Sequence, residues 1–160
     1  IYEALASYDF ERPVFTRDNR LAIHMVELDI RKSTKGYSYL STEIEAQGPS
    51  RQKANFNARQ VQYQPQLDST QLIFPTYYLL GEDEKFRGQE IEMTLYLKPG
   101  DTVRLARGTE HLIYDIQNLN DYWDYDMTEH TWTMTEEGLL CVDCIDTPEV
   151  LERMEKVKVE

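Results

Sequence analysis

The stretch from Ile91 to Leu105 constrains the fold more than any other part of the chain. Ile91, Met93, Leu95 and Leu97 alternate with Glu92, Thr94 and Tyr96, and Val103 and Leu105 restart the alternation after Pro99-Gly100. A period of two places every second side chain on one face, which suits a half-buried strand and no helix. Pro presets φ at the first turn position and Gly supplies the positive φ that often follows it. The segment therefore reads as strand, Pro-Gly turn, strand.

The same pattern recurs along the chain. Val26, Leu28 and Ile30 alternate with Glu27, Asp29 and Arg31, while Leu21, Ile23 and Met25 alternate in the opposite phase. A phase switch within one run predicts a β-bulge or kink near Met25. Trp132 and Met134 share a face between Thr131, Thr133 and Thr135, and Glu137-Gly138 turns the chain into Leu139 to Val142. Eleven Tyr and many Thr and Val add to the β signal.

Two segments break it. Ser50, after Gly48-Pro49, is placed to cap a short helix running to about Ala58. Val61 and Tyr63 then resume alternation, with Leu72 and Phe74 after the Asp68-Ser69 turn. Thr147-Pro148-Glu149 is a helix start, with Val150, Met154 and Val157 at helical spacing over 147–158. With no clean repeat and no linker composition, residues 1–160 are expected to form a single β-rich domain. Residues 1–20 read as an N-terminal arm that orders on contact. The fold expected is mainly β, a stacked-strand solenoid-like or sandwich-like body with a short internal helix and a C-terminal helix.

Charge narrows the function classes. Seventeen Lys and Arg against 29 Asp and Glu give a net charge of −12. That field repels phosphate backbones, and no basic cluster offsets it, so no nucleic-acid partner is expected. Anionic lipid surfaces are disfavoured for the same reason. No run of about 18 apolar residues is present, so contact with a membrane would come only through a segment missing from this chain. A cut or processed N-terminus is expected from Ile1.

Two constellations carry chemistry-bearing residues. The first is Cys141-Val-Asp-Cys144, which holds both cysteines of the chain. A zinc site needs four ligands, and only His130, His111 and His24 are available beside the pair. A thioredoxin-type redox pair wants a helix N-terminus, and here the flank is a strand. A structural disulfide or two reduced buried thiols remain. Residues i and i+3 of an extended strand point to opposite faces, so a bond requires the chain to turn at Val142-Asp143. The pair is expected to be structural, with no metal and no cofactor.

The second constellation is acidic and aromatic. Asp115, Asn118, Asn120, Asp121, Asp124, Asp126 and Glu129 surround Tyr122, Trp123 and Tyr125. Dense oxygen ligands suit calcium, although the EF-hand spacing and its Gly are missing, and aromatics beside carboxylates suit a glycan. Asp115, Asn118, Asn120, Trp123, Asp124 and Asp126 are the candidate ligand-binding residues. The plainer expectation is a loop that Trp123 anchors to the core while its acids face water. None of the spacings of a nucleophile elbow, a zincin, a P-loop or a dinucleotide fingerprint occurs, so no catalytic residues and no enzyme are expected.

Three stretches together resemble a known family. They are Leu28-Asp-Ile-Arg-Lys-Ser-Thr-Lys-Gly36; Phe86-Arg-Gly-Gln-Glu-Ile-Glu-Met-Thr-Leu-Tyr-Leu-Lys-Pro-Gly100 with Val103-Arg-Leu105; and Tyr114-Asp-Ile-Gln-Asn118 through Trp123-Asp-Tyr-Asp-Met127, His130-Thr-Trp-Thr-Met134 and Gly138-Leu-Leu-Cys-Val-Asp-Cys144. Their order resembles the C-terminal region of PspC-domain (phage-shock-protein-C-like) bacterial envelope proteins, over roughly residues 24–146. The resemblance implies a toast-rack or adhesin-like β body in a membrane-anchored, envelope-stress or regulatory protein. It implies a soluble sensor or interaction domain that binds a protein partner or self-associates, located in the bacterial cell envelope. The alternative is an adhesin-like module binding calcium or glycan through the Asp115 to Glu129 loop.

Overall fold

The computed structural model describes residues 14–17, 20–68, 70–81 and 83–144. The expected C-terminal helix over 147–158 and most of the expected N-terminal arm lie outside the described residues. In chain order the strands are β1 Val14–Arg17, β2 Arg20–Ile23, β3 Val26–Lys32, β4 Tyr39–Glu45, β5 Gln66–Asp68, β6 Gln71–Ile73, β7 Tyr78–Leu79, β8 Glu90–Leu97, β9 Thr102–Arg104, β10 Thr131–Met134 and β11 Leu139–Cys141. Helix α1 is Arg51–Arg59, α2 is Asp124–Met127, and a 3-10 turn covers Thr109–His111.

Among the described residues the backbone divides into two compact units, one drawn from those up to residue 27 and from 42–93, the other from 28–41 and from 94 onward. In the first unit, β1, β2 and β7 form an antiparallel sheet in that order, with Val14 opposite Ile23 and Ile23 opposite Tyr78. Ala22, Ile23, Tyr78, Leu80 and Ile91 are its buried centre. The Tyr78 hydroxyl donates to the Gln89 carbonyl at 2.6 Å, so the buried phenol is satisfied. Helix α1 starts where the sequence placed it: Ser50 Oγ accepts the Lys53 N–H at 3.2 Å. Gly48 is required there, because a Cβ would sit 2.6 Å from the Ala54 nitrogen. Strands β5 and β6 make a separate exposed hairpin.

In the second unit, β10 is the central strand between β9 and β11, with Trp132 opposite both Val103 and Cys141. Trp132, Met134, Leu139, Leu105, Ile113, Ile116 and Met127 are buried. The Pro99-Gly100 turn closes with the Asp101 N–H on the Lys98 carbonyl at 3.0 Å, and Gly100 has φ +94°. That is the type II geometry that Pro followed by Gly favours. The turn delivers the chain from β8 into another sheet, where β9 pairs with β10. Strands β3, β8 and β4 form a further sheet in that order.

One local expectation is corrected. Of the bulge or kink expected near Met25, the structure has no bulge: one strand ends and another begins there. Strand β2 ends at Ile23 in one sheet, where Ala22 and Ile23 are both buried, and β3 begins at Val26 in another, where Val26, Leu28 and Ile30 are the buried positions. The intervening Met25 carbonyl accepts the Ile91 N–H at 2.9 Å.

Candidate functional site

The segment from Arg107 to His130 contains only a 3-10 turn and the four-residue α2 as regular structure. Long irregular loops in compact proteins need internal hydrogen bonds, because their backbone groups have no ladder to satisfy them. Here the polar side chains supply them. The Asp124 carboxylate accepts the N–H groups of Asp115 at 2.6 Å and Ile116 at 2.9 Å. Asn118 Oδ1 accepts the Tyr122 N–H at 2.9 Å while its Nδ2 donates to the Tyr122 carbonyl at 2.8 Å and the Ile116 carbonyl at 3.2 Å. Asn120 is buried, and its Oδ1 accepts the Cys141 N–H at 2.8 Å. Asp115 and Asp121 have φ of 51° and 56°, the left-handed region that Asp and Asn tolerate best after Gly.

These bonds give three of the candidate residues a part in holding the loop's backbone. Asn118, Asn120 and Asp124 lie in one loop, and each turns acceptor oxygens onto backbone N–H groups. Asp115 contributes its backbone N–H to Asp124, and its side chain is exposed, as is that of Asp126. A shallow groove of about 380 Å³ is lined by Asp121, Tyr122, Trp123, Asp126 and His130.

Trp123 is not an anchor. It is 82% exposed, and Tyr125 at 76% and Tyr114 at 70% are exposed in the same segment. The residue that seats the loop is Met127, which is fully buried and lies four positions beyond Trp123, on the inner side of α2. Trp132 Nε1 donates to the Met127 carbonyl at 2.9 Å, and Tyr122 meets Trp132 edge-on at 5.9 Å. The anchoring indole is therefore Trp132.

The cysteine pair lies at the edge of the same unit. Cys141 and Cys144 are bonded, with Cα atoms 5.7 Å apart across a turn at Val142-Asp143. Asp143 Oδ1 accepts the Thr131 N–H at 2.8 Å and lies 3.2 Å from His130 Nδ1, and Arg104 approaches its other oxygen at 3.6 Å. The Thr131 N–H, with His130 beside it, holds the Asp143 carboxyl below its ordinary range against the opposing effect of burial. The sequence linked His130 to the thiols only by distance along the chain. Asp143 was read as part of the turn, and its place inside the Cys-x-x-Cys segment was the signal available.

Small open sheets of short strands, without a closed barrel, define a mainly β, stacked-strand protein among the described residues. The chain belongs to the family described as ToastRack found in some PspC, whose model matches residues 16–147. The expected fold class and the PspC resemblance are both borne out by that match. No curated protein and no solved structure matches the chain. No helix among the described residues is long and apolar enough to cross a membrane.

Proposed function

We propose that this chain is a non-catalytic sensor or protein-interaction domain of a PspC-like, membrane-anchored envelope protein, and that it engages a protein partner through the 114–126 loop. One observation carries the reading. Trp123, Tyr125 and Tyr114 are 82%, 76% and 70% exposed on a loop whose backbone is tied by Asp124 and Asn118. Exposed Trp and Tyr are the side chains that most often dominate binding when a partner buries them. A backbone already ordered by internal hydrogen bonds adds little ordering cost on association. Asp115, Asp121 and Asp126 edge the aromatics with negative charge, so the complementary surface is apolar at its centre and basic at its rim.

Envelope location and membrane anchoring rest on membership of the PspC-associated family. The test is site-specific photo-crosslinking from position 125 in the full-length protein, in cells under envelope stress. A discrete adduct that Trp123→Ala removes supports the reading, whether the adduct is a different protein or a second copy. An adduct pattern unchanged by Trp123→Ala rejects the loop as the contact surface.

A further inference from the structure

The structure assigns to the β10–β11 edge a second state. We propose that reduction of Cys141–Cys144 converts this edge into a four-ligand site for a zinc-class divalent cation, with Cys141, Cys144, His130 and Asp143 as ligands.

The geometry is already assembled. One ligand atom from each of the four residues lies within 4.8 Å of all the others. A tetrahedral zinc with bonds of about 2.0–2.3 Å spaces its ligand atoms about 3.3–3.8 Å apart, so the site needs shifts of about 1 Å. The disulfide turn supplies two of the four positions. Once the bond opens, the sulfurs must separate, and the Cys-x-x-Cys spacing around a turn is the usual one for two thiolates on one zinc. His130 Nδ1 and Asp143 Oδ1 now face each other at 3.2 Å, and Cys141 Sγ lies 3.6 Å from the same Asp143 oxygen. A cation bound between them replaces those contacts with three bonds to itself.

The surroundings hold the ligands in place. Cys141 is fixed by pairing opposite Trp132 and by Asn120 Oδ1 on its N–H. The Val142 N–H donates to the Thr131 carbonyl at 2.9 Å, and the Thr131 N–H holds Asp143. Tyr122 packs edge-on to the His130 ring at 6.0 Å. Such outer contacts orient ligands and raise affinity. Charge also balances. Two thiolates, one carboxylate and a neutral imidazole around a dication leave one negative charge, and Arg104 stands 3.6 Å from Asp143 Oδ2 to offset it.

The redox step balances with a dithiol reductant. Its thiolate attacks Cys144 Sγ, because Cys144 is part-exposed while Cys141 is buried. The Cys141–Cys144 bond breaks, Cys141 leaves as thiolate, and a mixed disulfide forms on Cys144. The second reductant thiol resolves it. The reductant is oxidised to a cyclic disulfide, and the protein gains two electrons and two protons. Cation binding then releases the two thiol protons. The bond spans only two intervening residues, so its loss removes little chain-entropy stabilisation and the fold persists.

The test titrates cobalt(II), as a spectroscopic stand-in for zinc, into the chain with and without a phosphine or dithiol reductant that is then removed anaerobically. The reduced chain is expected to show one equivalent of thiolate-to-cobalt charge transfer with tetrahedral d–d bands, abolished by zinc. The oxidised chain shows neither. His130→Ala and Asp143→Asn each weaken binding by at least about tenfold, the scale on which even outer-shell changes act. No charge-transfer band in the reduced chain overturns the proposal. So does equal affinity in wild type and both variants, which would mean thiols binding without a built site. Loss of far-ultraviolet circular dichroism on reduction also overturns it, since the bond would then be structural.

Discussion

The two tryptophans stand nine residues apart and have opposite fates. Trp132 alternates with Met134 on central strand β10, is fully buried, and donates its indole N–H to the Met127 carbonyl. Trp123 sits at the N-cap of α2 and is 82% exposed, with acids on either side. The two residue types are the same, so hydrophobicity cannot account for the difference. The central strand gives Trp132 cross-strand neighbours on both sides, Val103 and Cys141. The loop offers Trp123 none of that, and α2 has room for a single inward residue, Met127. One tryptophan therefore builds the core, and the other is left for a partner.

The largest expected effect breaks or confirms that contrast directly. Trp132→Ala should destabilise the protein by about 3–5 kcal/mol, through lost burial and the cavity it leaves. Trp123→Ala should fall within about 0.5 kcal/mol of wild type, as exposed positions do. Urea denaturation of both variants measures the pair. Equal losses would mean that Trp123 is part of the core after all.

The sequence made the Trp132 side of this contrast readable and hid the other. Alternation of Ile91, Met93, Leu95 and Leu97, and of Trp132 and Met134, appears in the burial of those same residues. Ser50 was readable because a cap is a local hydrogen bond. The turn at Val142-Asp143 followed from strand geometry once the sulfurs are bonded. The change of sheet at His24-Met25 left a phase switch in the sequence, but the pairing partners β7 and β8 lie some fifty or more residues away, beyond any local pattern. The exposed face of Trp123 was hidden for a related reason. A Trp among acids has no period to reveal its face, and the oxygens that resemble cation ligands are the same oxygens that cap backbone N–H groups. Asn118, Asn120 and Asp124 do the second, which no spacing in the sequence reveals.

Those capping groups give the next tests, of intermediate size. Asn120→Ala strands the buried Cys141 N–H and should cost about 1–3 kcal/mol. Asp124→Ala removes the acceptor of two partly exposed N–H groups, and a loss of about 1 kcal/mol is expected, comparable to that of a helix cap. Hydrogen exchange should accelerate at Asp115 and Ile116 in Asp124→Ala, and not in Asp126→Ala. If neither amide responds, the exposed aromatics are not held by this bridge, and preorganisation fails as an argument for binding.

The smallest expected effect is in pH, and it separates the Trp132 hairpin from the first unit by sign. Asp143 closes that hairpin against Thr131, and its carboxyl is held below the ordinary 3.8 mainly by the Thr131 N–H. A depressed folded pKa gives stability that is present above the unfolded value and lost as pH falls through the folded one. Glu27 is raised from 4.5 by partial desolvation and by the neighbouring charges of Glu92 and Glu90. Its contribution is present below the unfolded value and lost as pH rises through the folded one. Asp143→Asn should therefore flatten the acid limb of a stability–pH curve below about pH 4. Glu27→Gln should flatten the decline from about pH 4.5 upward and leave the protein slightly more stable at neutrality. Both side chains are substantially exposed, so each change should be a few tenths of a kcal/mol and shrink as salt is added. Slopes of the same sign in the two variants would mean that the Thr131–Asp143 contact does not hold the hairpin end in solution.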